Sequence, residues 1–166
     1  MLYFSYGSNM SSRRLQRRVP SATPIAVASL RGHVLKFHKK SEKDGSGKCD
    51  AFETHDERDF LYGVVFHLNR AEISALDEVE GVGYGYEKKS VAVRNVNGEC
   101  RTAFTYYATH IDPALAPLCW YKAHVVRGAE EHGLPPDYIS FLKSIRHRDD
   151  ADQDRVLDEL SIYAKF

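Results

Sequence analysis

Hydrophobic positions follow a two-residue period through the first part of the chain and a helical period through the last. Leu2 to Ser5 is a short apolar strand that stops at the turn Tyr6-Gly7-Ser8-Asn9. A helix is predicted next, with Asn9 or Ser11 as N-cap, Arg13, Arg14, Arg17 and Arg18 on its wet face, and Pro20 beyond its end. Strand patterns follow at Thr23 to Leu30 and at His33 to Phe37, where Leu35 and Phe37 share one face. Residues 39–50, KKSEKDGSGKCD, are polar and rich in Gly and Ser, and read as a mobile loop. Ala51 to Glu53 and Leu61 to Leu68 are again strands. The second is apolar nearly throughout, as a strand buried on both faces would be.

A short helix over about Arg70 to Val79 carries Ile73, Leu76 and Val79, with Asn69 as N-cap and glycines 81, 83 and 85 at its end. Two strands, Glu87 to Val96 and Glu99 to Ala108, pair across Asn97-Gly98, the type I′ hairpin signal. From Pro113 the pattern is helical: Leu118, Tyr121, Val125 and Ala129 share a face, and Gly133 closes the helix before Pro135 and Pro136. Tyr138, Phe141, Leu142 and Ile145 predict another amphipathic helix. A charged segment, Arg146 to Arg155, leads to a last helix around Val156 to Leu160. Strands first and helices last, with no repeat and no linker, fit one α+β domain over residues 1–166 better than a parallel βαβ sheet; 146–166 form its C-terminal charged segment and helix.

Composition adds little, charge adds more. The 166 residues are 43% hydrophobic and 28% charged, enough for a core and against disorder. Lys+Arg and Asp+Glu number 23 each, so the chain lacks the net positive footprint of a nucleic-acid binder. Residues 1–50 nevertheless carry ten Lys/Arg against three Asp/Glu, whereas residues 51–100 carry five against ten. The basic part reads as a solvated helix face followed by a flexible basic loop. Cys49, Cys100 and Cys119 are too far apart for a zinc motif and odd in number for a disulfide framework. With no signal peptide and no run of membrane-spanning length, the expectation is a soluble protein of a reducing cytoplasm.

Several motif-like stretches carry no chemistry. Gly45-Ser46-Gly47-Lys48 has the wrong spacing for a phosphate loop and Cys49 where a hydroxyl belongs; Gly81-Val82-Gly83-Tyr84-Gly85 follows a helix instead of opening one. The histidines form no metal pair, and no nucleophile elbow is present. Two features are better candidates. Tyr6-Gly7-Ser8-Asn9 follows a strand and presents backbone N–H groups at a helix start, suited to a carboxylate or an oxyanion. Asp77-Glu78-Val79-Glu80 crowds three carboxylates at a helix C-terminus. The helix dipole and like charges both favour the protonated form of a carboxyl so placed, as a base that shuttles an amine proton requires.

Together, Tyr3-Phe4-Ser5-Tyr6-Gly7-Ser8-Asn9, Leu76-Asp77-Glu78-Val79-Glu80-Gly81-Val82, and Gly128-Ala129 with Gly133-Leu134-Pro135 and Tyr138 form an ordered set. The set resembles the gamma-glutamylcyclotransferase family over about Leu2 to Ile145. The resemblance implies a small mixed β-barrel with flanking helices and a pocket at one end. It also implies conversion of a gamma-glutamyl amino acid into 5-oxoproline and the free amino acid. In that reading the Tyr3–Ser8 segment (Tyr3, Phe4, Ser5, Tyr6, Gly7, Ser8) is the substrate-binding loop, Glu80 the catalytic acid/base, and Tyr121 a substrate contact. The substrate supplies its own nucleophile, so no metal and no cofactor is expected. Departures are Ser5 where Ala is familiar, Met10 after the Asn, and the longer basic loop at 39–50, which bears on the leaving amine more than on the chemistry.

Two rival readings keep the fold. One is cyclotransferase action on gamma-glutamyl-amines or biosynthetic intermediates, with Glu80 unchanged; the other is a non-catalytic module binding a small carboxylate or a protein partner. The tail offers Val156, Leu157, Leu160 and Tyr163 either to a second copy, making a homodimer, or to its own barrel.

Overall fold

The computed structural model describes residues 1–164. Strands β1 (Leu2–Ser5), β2 (Thr23–Arg31), β5 (Phe60–His67), β6 (Tyr86–Asn95) and β7 (Cys100–Ala108) close into a barrel in the order β1-β5-β2-β6-β7. The closing pair, Tyr3 on β1 with Phe104 on β7, is parallel, and the other neighbours are antiparallel, so the barrel is mixed. Strands β3 (His33–Lys40) and β4 (Gly47–Glu53) form a separate two-stranded ribbon, with β4 against β7. The expected α+β barrel with flanking helices is therefore the fold.

Strand β5 lies between β1 and β2 and is buried on both faces, as its apolar run implied. On one face Tyr62 meets Tyr138 of α4 (Pro136–Ser144) at 5.1 Å between ring centroids, and Phe66 meets His132, just past α3 (Cys119–Glu131), at 5.6 Å. Helix α3 starts only at Cys119, after Pro117, because prolines at 113 and 117 break the earlier stretch.

Two predicted loops differ from expectation. Of residues 39–50, only Ser41 to Ser46 lies outside strands, since Lys40 already pairs with Gly47. The Asp44 carboxylate accepts from Ser46 N–H at 3.0 Å, Ser46 Oγ–H at 2.7 Å and Lys48 Nζ at 2.7 Å, which turns a Gly/Ser-rich segment into a tied hairpin end. At the β6–β7 hairpin, Gly98 alone is left-handed (φ +83°), and its N–H donates to Asn95 C=O at 3.0 Å. Asn95 Oδ1 also accepts from the N–H of Asn97 and of Glu99, at 3.0 and 2.9 Å, which holds a three-residue loop in place of the two-residue type I′ turn.

The arginine-rich helix α1 (Ser12–Arg18) departs furthest from its expected solvated face. Arg13 and Arg17 are exposed, but Arg14 and Arg18, four residues apart, turn inward. Arg14 forms an ion pair with Glu159 of α5 (Gln153–Ser161) and donates to His124 Nε2 at 2.9 Å. With Nε2 accepting, His124 Nδ1–H donates to Tyr163 Oη (2.7 Å), whose O–H donates to Ser11 Oγ (2.9 Å). Ser11 is the predicted N-cap by position, but its side chain serves this chain of bonds instead of capping. Val156, Leu160 and Tyr163 are thus engaged with the protein's own body, and Leu157 stays exposed. Among the described residues no helix is long and apolar enough to cross a membrane.

This network makes stability acid-sensitive. Burial penalises charge on His124 and pushes its pKa from 6.5 down to about 4. Burial also opposes ionisation of Glu159, but the Arg14 guanidinium paired with it outweighs this and holds its carboxyl below the usual range. An unfolded chain protonates His124 below 6.5 and the folded one only near 4, so the stability is complete above that window and lost as pH falls through it. His124 alone removes about 1.4 kcal/mol per pH unit there. Thermal melts should show Tm level above pH 7 and lower by about 4–8 °C at pH 5, and a Tm unchanged at pH 5 would disprove the assignment.

Candidate active site

Helix α2 (Ile73–Glu80) ends at the candidate site. Asn69 caps the 3-10 turn Arg70–Glu72 that leads into it, accepting from Ala71 N–H at 3.1 Å, and Ile73 and Leu76 fix the rotation of α2 by entering the core. Gly81 is left-handed (φ +72°), and Val82 N–H bonds back to Asp77 C=O at 3.0 Å, a Schellman end that leaves Glu80 as the last helical residue.

The first turn after β1 faces it. Ser8–Met10 form a single 3-10 turn, closed by Met10 N–H to Gly7 C=O at 2.9 Å; the N–H groups of Ser8 and Asn9 open that turn and have no acceptor within it. Helix α3 presses directly on this turn at Gly128, where a Cβ would lie 2.4 Å from Ser11 N. Any side chain there would displace the turn, so the late Gly128-Ala129 pair positions the early Tyr6-Gly7-Ser8-Asn9 segment.

Asn9 and Arg18 hold Glu80 between them. Asn9 Nδ2 donates to Glu80 Oε1 at 2.9 Å, and Arg18 Nη1 donates to the same oxygen at 2.8 Å and to Asn9 Oδ1 at 2.9 Å. The Arg18 and Glu80 side chains are only 21% and 15% exposed. Oε2 of Glu80 has no hydrogen-bond partner among the described residues. The expected crowding of three carboxylates does not form, because Asp77 turns away to Lys88 (2.6 Å) and Tyr106 Oη (2.7 Å) and Glu78 is exposed. Cations compensate the helix dipole at this end.

A cavity of about 20 Å³ lies inside this arrangement, and a cleft of about 370 Å³ adjoins it; Ser8, Glu80, Tyr86 and Tyr121 border both. Tyr3, Ser5, Tyr6 and Gly7 line the cavity as well. Tyr3 Oη accepts from Asn9 Nδ2 at 3.3 Å; Ser5 Oγ is buried without a partner. Tyr121 Oη accepts from Cys49 N–H at 3.1 Å. Phe4 is the exception among the predicted substrate-binding residues: strand alternation turns its fully buried ring into the core, away from the cavity.

Cys49, Tyr86, Tyr106 and Arg18 lie outside the predicted site, and Asn9, a member of the predicted turn, takes a side-chain role that the turn does not imply. Burial drives the phenols of Tyr3, Tyr6, Tyr86, Tyr106 and Tyr121 upward, so all remain neutral near pH 7. Burial likewise pushes the Cys49 thiol up to about 12, leaving it a poor nucleophile. Among the described residues Glu80 is the one carboxylate in the cavity wall.

Comparison with known proteins places this arrangement in a class of small barrel proteins. The profile of the AIG2-like family matches residues 60–142. The gamma-glutamylcyclotransferase of Mus musculus is 38% identical over 149 residues, covering 87% of this chain and 78% of the relative. That of Bos taurus is 37% identical over 153 residues, with 89% and 80% covered. A solved structure described as a gamma-glutamyl cyclotransferase superposes with a TM-score of 0.88 at 32% identity, covering 97% of this chain and 98% of that one. The chain belongs to the gamma-glutamylcyclotransferase family.

Proposed function

We propose that the protein is a gamma-glutamylcyclotransferase, releasing 5-oxoproline and a free amine from a gamma-glutamyl amino acid or amine, with Glu80 as general acid/base. The substrate's α-amino nitrogen attacks its own side-chain amide carbonyl. A C–N bond closes the five-membered ring, the amide C–N bond breaks, and the leaving nitrogen gains a proton. Glu80 takes a proton from the α-ammonium group and returns one to that nitrogen, so a single carboxylate serves both steps.

The observation that carries this reading is the asymmetry of Glu80: Oε1 is anchored by Asn9 and Arg18 while Oε2 is free, at the border of a polar cavity and a cleft. The cavity has room for about one water-sized polar group, such as a carboxylate or amide oxygen, and the cleft for a dipeptide-sized ligand. Ser5 Oγ and the opening N–H groups of Ser8 and Asn9 are donors for that polar group. Holding the substrate in its cyclising rotamer supplies much of the rate.

A donor panel of gamma-glutamyl-alanine, ε-(gamma-glutamyl)-lysine, glutathione and a gamma-glutamyl aminoglycoside tests the reading. The expected outcome is 5-oxoproline release, fastest from gamma-glutamyl-alanine. Ligand binding without turnover on any donor would assign the fold a non-catalytic role instead.

A further inference from the structure

The site leaves the departing amine undefined, and the outer cleft is where that group must lie. Among the described residues six cations border the cleft: Arg14, Arg18, Lys39, Lys43, Lys48 and Arg155. Four have carboxylate partners. Arg14 pairs with Glu159, Arg18 with Glu80 at 2.8 Å, Lys48 with Asp44 at 2.7 Å and Arg155 with Asp150 at 2.5 Å. Lys43 stands exposed on the β3–β4 turn.

Lys39 is different. It is half-buried and has no carboxylate partner among the described residues. Its Nζ is held 4.9 Å from the ring centroid of Tyr86, a residue that borders both cavity and cleft. Gly85 makes room for it, since a Cβ there would lie 2.8 Å from Lys39 Cε and 3.1 Å from Nζ. The protein thus keeps a partly desolvated ammonium group in the cleft wall against a π-face; Glu80 is the carboxylate that acts on it most, but among the described residues none lies within ion-pair distance, so a ligand anion can close directly on it.

A gamma-glutamyl α-amino acid carries such an anion. Its leaving half has a carboxylate two bonds from the scissile nitrogen, whereas a gamma-glutamyl amine has none. We propose that Lys39 is a specificity-determining residue of the cleft that receives this carboxylate of the leaving half. The proposal rests on the cyclotransferase reading and adds a residue to the same site.

The test compares 5-oxoproline formation from gamma-glutamyl-alanine and from gamma-glutamyl-alaninamide, which differ only in that charge. Wild-type protein should favour the carboxylate by about tenfold or more in kcat/KM, chiefly through KM. Lys39→Met keeps the aliphatic stem over Tyr86 and should bring the ratio to within about threefold of unity; Lys39→Arg should keep most of the preference. Equal wild-type use of the two substrates overturns the role of Lys39 while leaving cyclisation standing. A Lys39→Met variant that retains the preference, or that slows both substrates equally, overturns it too. No 5-oxoproline from either substrate with wild-type protein would overturn the cyclotransferase reading itself.

Discussion

Glu80→Gln is expected to lower kcat for 5-oxoproline release by about 10³-fold while leaving the fold intact. The amide keeps the size of the side chain, and its oxygen can still accept from Asn9 Nδ2 and Arg18 Nη1, the two donors on Oε1. What it loses is the ability to take up and return a proton at Oε2. Turnover and a melting curve on the same preparation check this: a variant that melts like wild type and retains even a tenth of its kcat would remove Glu80 from the acid/base role. Glu78→Gln is the matched control, since Glu78 is exposed on the same helix end, and it should stay within about twofold of wild type. Asp77→Asn should also lose far less than Glu80→Gln, because Asp77 is committed to Lys88 and Tyr106.

Arg18→Met carries the second large effect. Arg18 Nη1 bonds both Glu80 Oε1 and Asn9 Oδ1, closing a three-residue ring that fixes the proposed catalytic carboxylate without bordering the inner cavity itself. Removing the cation frees the carboxylate to change rotamer, and a displacement on the order of 1 Å costs about 10²-fold in rate. The loss should fall chiefly on kcat, since Arg18 borders the cleft but its Nη1 is committed to Glu80 and Asn9. Asn9→Ala should act the same way, and the double variant should lose much less than the product of the two single losses, because both residues hold one oxygen. Arg18→Lys should recover only part of the rate: the single nitrogen Nη1 makes both bonds, but the shorter lysine stem sets Nζ back from the two oxygens. A loss confined to KM would instead make Arg18 a substrate contact.

Local patterns located most of the elements and the two ends of the site. The apolar run at Leu61 to Leu68 became the strand buried on both faces, and Asn69 and Gly81 bracket the helix that delivers Glu80. Contacts between distant segments were harder to read. Arg14 and Arg18 look like a solvated face because a helix with four arginines usually is one; their spacing of four, placing them on one side, was the available signal. Asn9 belonged to the recognised motif, yet its role depends on a glutamate 71 residues away, which no local pattern encodes. The crowding expected from Asp77-Glu78-Val79-Glu80 failed for the same reason: Lys88 and Tyr106 come from β6 and β7 and draw Asp77 away. Lys39 and Lys48 read as parts of a mobile basic loop until the pairing of β3 with β4 placed both in the cleft wall.

The most direct test of the account is product stoichiometry with wild-type protein and gamma-glutamyl-alanine, following 5-oxoproline, glutamate and alanine together by mass spectrometry. Intramolecular cyclisation predicts equal amounts of 5-oxoproline and alanine, with no glutamate and no label taken up from ¹⁸O-water. Glutamate in place of 5-oxoproline would mean that water, and not the substrate's own amine, is the nucleophile, and would contradict the account at its centre.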